Sequence, residues 1–399
     1  MSTDISAAVK PTSHTAGTAK FTLDSSKALE SIQKGDASSK TFIVMVPETD
    51  EVSTLSVSIP DDVMQAIGKQ GGDAASIIIA TQYGDYRLPL KALEGNKGQA
   101  IEFSISQVTG SGMEKAKDNA VKNGLTLLGG PVDFKIESVD ASDNKHEIES
   151  FGNVYVARSL HAGMTVDDAH TAAVKVNEDG SFMPVPTYFT KDESGYAAVI
   201  QRPGNSSYAV ISGKKDFADT QGFWAEASIS KMASHLLVNG MTDTSFEPQS
   251  LMTRAQFTSL MVRALGLSDR TSEASTSFTD VSANDWFAKD VNIAVSAGLI
   301  EGYGDQFGPQ DSITREQLAA IFTRAMKFVD PAITTSGKSK VFADADSISS
   351  WAASSVNSAV QAGILEGDDQ GNLRPGDAAT RAEATVMLER MLQAVKFIN

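Results

Sequence analysis

From Phe21 to about Val210 the apolar positions of the chain recur with a period of two. Leu55, Val57 and Ile59 alternate with serines, Ile101, Phe103 and Ile105 alternate with polar residues, and Val132, Phe134 and Ile136 repeat the pattern. Such alternation marks strands with one buried face. Residues 42–46, 77–79, 86–90, 154–156, 174–176 and 208–211 are further strand candidates, with turn signals at Glu178-Asp179-Gly180 and Arg202-Pro203-Gly204-Asn205. Short helices are predicted over 60–68 and 113–124, the second ending at Gly124. The pattern therefore predicts a mainly-β, sandwich-like region over residues 21–210, dividing into two halves near 130. Residues 1–20 carry Ser, Thr, Ala and Lys without periodicity and read as a flexible N-terminal tail.

Past residue 211 the spacing becomes helical. Ala225, Ile229, Met232 and Leu236 fall on one face, followed by Phe257, Leu260, Met261, Ala264 and Leu265 on another, and this pair of stripes recurs twice more. A fixed pattern accompanies them. Phe-x-Asp is followed by Trp, a helix-length stretch closed by Gly, a Pro, and Thr-Arg-x-Gln/Glu. The copies hold Phe217, Asp219, Trp224, Gly240, Pro248 and Thr253 to Gln256; Phe278, Asp280, Trp286, Gly298, Pro309 and Thr314 to Gln317; and Phe342, Asp344, Trp351, Gly363, Pro375 and Thr380 to Glu383. Long-period self-similarity means that one supersecondary unit is repeated and that each copy needs its neighbours to bury its apolar face. Repeats are expected at 211–270, 271–334 and 335–399.

Thr followed three residues later by Gln or Glu, ahead of an apolar helical stripe, is a capping box. It leaves the Arg of each copy unexplained, because a cation at the first helical position opposes the helix dipole. An Arg there can hold a carboxylate as a bidentate pair, either from a ligand or from within the chain. The aspartates cap turns or meet sugar hydroxyls. The tryptophans either pack in the core, the favoured reading, or stack on a pyranose ring.

These motifs together resemble the S-layer homology family, whose modules hold surface proteins on Gram-positive walls. The resemblance implies an all-α, pseudo-threefold set of helix-loop-helix repeats that binds a pyruvylated secondary cell wall polymer, associated with peptidoglycan, in grooves between repeats. Carried over position by position, it implies polymer contacts from Asp280, Trp286, Gly302, Arg315, Asp344, Trp351, Gly367 and Arg381, with Asp219, Trp224 and Arg254 ranked lower. Repeat one reads Met241-Thr242-Asp243-Thr244-Ser245-Phe246 where the others have Gly302-Tyr303-Gly304 and Gly367-Asp368-Asp369. The groove joining repeats two and three is therefore expected to dominate, and Arg315→Ala or Arg381→Ala to weaken binding while leaving the helices folded. A looser resemblance, through residues 86–90 and 205–210, is to β-rich regions that precede such repeats in surface proteins of bacilli.

Charge and composition narrow the function classes. Lys and Arg number 34 against 50 Asp and Glu, a net charge of −16, which argues against nucleic acid as a partner. Recognition of an anionic polymer must then rest on a few placed arginines. There is no Cys, so thiolate catalysis and disulfides are excluded, and neither a cofactor nor a metal site is expected. No apolar run reaches the ~20 residues of a membrane span. A secretory signal is also absent from the N-terminus, so an extracellular wall location implies that the signal has been removed. No nucleophile motif or metal cluster stands out, and the protein is expected to be no enzyme, the β region serving display, lateral self-assembly or adhesion. The alternative is a wall-anchored polysaccharide-degrading enzyme with its catalytic site in the β region, since paired carboxylates can be distant in sequence.

Overall fold

The structure is a computed structural model describing residues 1–399 apart from Ala16, Ser194, residues 272–277 and Lys338. The opening of the expected second repeat, from 272 to 277, thus lies outside the described residues. By its contacts the chain forms two compact units, one of Met1–Asp167 with Thr171–Gly213, the other of Asp168–His170 with Lys214–Asn399.

The first unit runs β1 (Ser2–Asp4), β2 (Val9–Thr15), β3 (Gly17–Leu23), α1 (Ser25–Lys34), β4 (Thr41–Met45), β5 (Val52–Ile59), α2 (Asp61–Gly71), β6 (Ser76–Thr81), β7 (Gly84–Pro89), β8 (Ala100–Gln107), α3 (Gly110–Lys122), β9 (Thr126–Val139), β10 (Lys145–Glu147), β11 (Val156–Gly163), β12 (Thr171–Val176), β13 (Phe182–Pro184), β14 (Thr187–Asp192), β15 (Gly195–Arg202) and β16 (Ser206–Ser212). One sheet has the order β1-β4-β6-β7-β11-β15-β14 and the other β13-β12-β16-β9-β8-β5-β3-β2, with β10 beside β9. The alternating residues read from the sequence do face one core. Leu55, Val57, Ile101, Phe103, Phe134 and Ile136 of one sheet are buried in the same cluster as Phe42, Val44, Ile77, Ile79 and Leu88 of the other.

This unit is not the mainly-β sandwich expected. β1 pairs with β4, β4 with β6, and β3 with β5, all in parallel, and parallel neighbours need long crossovers. Helices α1 and α2 occupy the connections from β3 to β4 and from β5 to β6 and pack on each other. Helix α1 escaped the sequence reading although Asp24 caps it by accepting from Lys27 N–H at 3.2 Å and Ala28 and Ile32 form its buried stripe. Residues 1–20 are likewise no tail. Ile5 and Ala8 are buried, and β2 pairs antiparallel with β3.

The two stretches that carried the looser resemblance meet in the core at Arg158, which is 1% exposed. Its Nη2 donates to Tyr86 Oη at 2.9 Å and to Asn205 Oδ1 at 2.8 Å, and its Nη1 to the carbonyls of Val156 and Arg202. The Tyr86 ring lies 4.8 Å from the guanidinium, and burial pushes the Tyr86 hydroxyl above its usual range. These motifs are a structural tie between strands, held by neutral acceptors.

The second unit contains α4 (Glu226–Ser234), α5 (Arg254–Ala264), α6 (Ala288–Ser296), α7 (Arg315–Val329), α8 (Ala353–Gln361) and α9 (Arg381–Ala394). The second helix of each repeat packs on the first helix of the next: α5 on α6, α7 on α8, α9 on α4. The expected all-α arrangement is not what forms. Extended segments before α5, α7 and α9 join through isolated β-bridges, Leu251 to Thr380, Thr253 to Ser312 and Thr314 to Ala378. Their hydrogen bonds close a ring: Ile313 N–H donates to Met252 O at 2.9 Å, Ala379 N–H to Ile313 O at 2.8 Å, and Met252 N–H to Ala379 O at 3.0 Å. Across the chain, 31% of residues are helical and 29% are in strands, so the division into a mainly-β half and an all-α half fails on both sides.

Candidate functional site

Thr253, Thr314 and Thr380 cap α5, α7 and α9 with complete capping boxes to Gln256, Gln317 and Glu383. The arginines that follow are turned into the next repeat. Arg254, Arg315 and Arg381 are 3%, 5% and 9% exposed. Arg254 donates from Nε to Phe307 O and from Nη2 to Glu301 O; Arg315 from the same nitrogens to Leu373 O and Glu366 O; Arg381 to Phe246 O and Asn239 O, all at 2.8–2.9 Å. Repeat one thus clamps two, two clamps three, and three clamps one. The guanidinium fork suits this task because its donors are fixed in one plane. Burial draws each of the three below its ordinary value. Removing one would strip donors from carbonyls, which contradicts the expectation that the helices would be indifferent to its loss.

Asp219, Asp280 and Asp344 are committed within their own repeats. Asp219 accepts from the N–H groups of Phe246 and Glu247, Asp280 from Phe307 and Gly308, and Asp344 from Leu373 and Arg374, at 2.7–2.8 Å. These backbone bonds hold all three carboxyls below their usual range against the opposing effect of burial. The tryptophans, by contrast, are not core. Trp224, Trp286 and Trp351 are 63%, 65% and 58% exposed, leaving a flat apolar face open to a sugar ring.

Repeat one does possess its loop glycine. A Cβ on Gly240 would stand 2.4 Å from the Phe217 ring, on Gly302 2.3 Å from Phe278, and on Gly367 2.8 Å from Phe342, so these three glycines correspond. Leu236, at φ +58°, takes the helix-terminal position that Gly298 and Gly363 occupy at +66° and +72°. The sequence comparison had matched Gly240 with Gly298 and Gly363, one turn too early. Gly240→Ala should therefore destabilise the unit by about 2 kcal/mol through overpacking, whereas Gly298→Ala, with nothing within 4 Å of the new Cβ, should cost about 1 kcal/mol of left-handed strain. Thermal melts of the two variants check this order.

Two clefts form beside the arginine clamps. The 2/3 cleft, about 630 Å³, is lined by Arg315, Arg374 and Arg390 against Glu366, Asp368, Asp369, Asp377 and Glu383, with Trp224 at its side. Its cations are already engaged: Glu383 meets Arg315 at 3.0 Å and Arg374 at 3.7 Å, and Glu366 meets Arg390 at 2.9 Å. The 3/1 cleft, about 230 Å³, holds Arg381, Arg263 and Trp286 with no acidic residue among the described residues of its lining. At the 1/2 junction Tyr303 lies 4.5 Å from the Arg254 guanidinium and Glu301 pairs with Arg324 at 2.8 Å. Sequence reasoning missed Arg263, Arg324 and Arg390, although each stands nine residues beyond the motif arginine of its repeat.

Residues 216–258, 277–319 and 341–385 match the S-layer homology domain family. The chain carries three S-layer homology domains. S-layer homology domains bind cell wall polymers, and their presence places the chain at the cell surface and wall. No helix among the described residues is long and apolar enough to cross a membrane. The chain is 30% identical over 379 residues to an amylopullulanase of Thermoanaerobacterium thermosulfurigenes, covering 94% of this chain and 19% of that protein. It is 34% identical over 203 residues to the exoglucanase XynX of Acetivibrio thermocellus, covering 51% of this chain and 18% of the relative. With the surface-layer 125 kDa protein of Lysinibacillus sphaericus it shares 27% over 184 residues, 45% of this chain and 15% of the relative. The chain thus spans less than a fifth of each of these relatives. Two of the three are named as enzymes, and one of these aligns along nearly the whole chain, which overturns the reading of the protein as no enzyme.

Proposed function

We propose that the three S-layer homology domains hold a polysaccharide-degrading surface protein on an anionic, pyruvylated secondary cell wall polymer, the acidic groups being received in clefts between repeats. The observation that carries this reading is the pairing of buried arginines with exposed tryptophans at the repeat junctions, together with the alignment to an amylopullulanase through 94% of the chain. A charged guanidinium and a flat indole face are the two groups a pyruvylated pyranose needs, one for its carboxylate and one for its ring. The full chain should sediment with native walls and lose that retention once the non-peptidoglycan polymer is extracted. Equal retention on bare peptidoglycan would refute the proposed ligand.

A second reading places hydrolysis in the first unit, favoured by the enzyme relatives and by one carboxyl. Asp85 accepts from Ser159 Oγ at 2.8 Å, and burial pushes its carboxyl up against the lowering effects of that bond, of the His161 charge and of the Thr81 backbone, the charge of Asp192 adding a last, smaller upward push. A raised carboxyl that senses the charge of a second one resembles a glycosidase acid and its partner. On this reading Asp85→Asn abolishes release of reducing ends from starch or β-glucan by the full chain.

A further inference from the structure

The three repeat junctions share one backbone plan but differ in the side chains that reach the guanidinium groups. At the position whose carbonyl accepts from the clamp, two repeats carry Glu301 and Glu366, and each of these pairs with the arginine nine residues past the motif. Repeat one has Asn239 there, and Arg263 donates to the Leu237 carbonyl, at 3.0 Å, with the charge of Asp290 acting on it without a direct bond among the described residues. At the third position of the capping box, Glu383 closes on Arg315, whereas Gln256 lies in the 3/1 cleft. Neither Arg381 nor Arg263 forms an ion pair among the described residues. A further polar group points to a ligand at the same place. Ser259, where the other repeats have Ala320 and Val386, is 4% exposed, lines this cleft, and its Oγ has no hydrogen-bond partner among the described residues. Buried hydroxyls are ordinarily satisfied, and an orphan calls for an explanation.

We infer that the 3/1 cleft, bounded by Arg381, Arg263, Ser259, Asn239 and Trp286, is the anion-accepting site of this chain, and that the other two junctions are closed by the protein's own glutamates and Tyr303. The inference rests on the wall-polymer reading and adds which cleft is open and which residues select it. The ligand class is an acidic pyranoside, its carboxylate taken by the two arginines and its ring lying on the exposed face of Trp286. Two cations that form no direct ion pair among the described residues, with Asp290, Glu247 and Asp219 acting on them only from outside the lining, attract a carboxylate into this partly desolvated cleft, while the 2/3 cleft, with three cations and five acids, repels one.

The test exchanges the distinguishing residue between junctions in the full chain. Asn239→Glu installs the acid found at the other two positions; its side chain is exposed and its clamp contact runs through the backbone carbonyl, so folding should be retained, as checked by thermal melting. The probe is a pyruvyl-ketal methyl hexopyranoside measured by calorimetry, with its methyl ester as the uncharged control. Wild type should bind the acid and not the ester, Asn239→Glu should weaken binding at least tenfold, and Ser259→Ala should weaken it several-fold. Glu366→Asn, in the 2/3 cleft, should not weaken it. If Asn239→Glu binds like wild type while Glu366→Asn does not, the cleft assignment is wrong. Retention of wild type on native but not stripped walls would then leave the wall-polymer reading standing, and equal retention on both would remove that reading itself.

Discussion

Arg381→Met is expected to lower the stability of the repeat unit by on the order of 4 kcal/mol, before any ligand is considered. The side chain donates to Phe246 O at 2.9 Å and Asn239 O at 2.8 Å. A carbonyl left without its donor in such a place costs about 1–3 kcal/mol. The guanidinium also lies 4.4 Å from the Phe246 ring, a contact of about 1 kcal/mol. Methionine fills much of the volume but supplies no donor. Lysine keeps the charge and loses the planar fork, so Arg381→Lys should recover only a part of the loss. Denaturant unfolding monitored by circular dichroism reads the effect, and Arg254→Met should behave similarly because its two carbonyl contacts are equivalent. A change below about 0.5 kcal/mol in both, the size of an ordinary surface substitution, would mean that the clamps do not hold the ring. The same result bears on how binding data are read: a motif-arginine variant that fails on walls combines a loosened ring with any lost ligand contact, which is why Asn239 is the better probe.

What was legible in the sequence follows from the range of the interactions. Strands β5, β8 and β9 were visible because alternation with serine or other polar residues is a local signal of one buried face. The capping boxes were visible for the same reason, since donor and acceptor lie three residues apart. The destination of Arg254, Arg315 and Arg381 was not, because Phe307, Leu373 and Phe246 stand 53, 58 and 135 residues away. Parallel pairing of β3 with β5 and of β4 with β6 was hidden likewise, since a strand's own pattern does not say which neighbour it takes. The loop register of repeat one was misread for a local reason. Leu236 adopts a left-handed conformation that glycine usually takes, so the glycine of that repeat was assigned to the helix end instead of to the contact with Phe217. The second-helix arginines were readable as a constant spacing. Their meaning lay in Asn239 against Glu301 and Glu366, a difference that only the fold brings opposite them.

Mild acid should weaken the second unit through His235. This residue follows α4, is 4% exposed, and its Nε2 donates to the Asp168 carbonyl at 2.8 Å. Burial lowers its pKa to about 4 from the ordinary 6.5, with Lys231 acting in the same direction and the Asp168 carbonyl and the charges of Asp168 and Glu389 opposing. Lys231 is itself paired with Glu389 at 3.3 Å. The folded state therefore keeps the imidazole neutral while the unfolded chain protonates it from about pH 6.5 downward. A depressed folded pKa makes stability full above the unfolded value and lost as pH falls toward the folded one. Between pH 6.5 and 4 the loss should reach about 3 kcal/mol, at ~1.4 kcal/mol per pH unit. The backbone-bonded carboxylates act in a separate window, since Asp219, Asp280 and Asp344 are lowered from 3.8 and lose their bonds only below that value. His235→Gln, which can still donate to the Asp168 carbonyl but does not titrate, should flatten the profile between pH 6.5 and 4 and leave the steeper fall below pH 4 in place. Stability measured by urea unfolding at half-unit pH steps decides the matter: a wild-type curve that is flat down to pH 4, or a His235→Gln curve that still falls through that window, would show that His235 is not the group responsible.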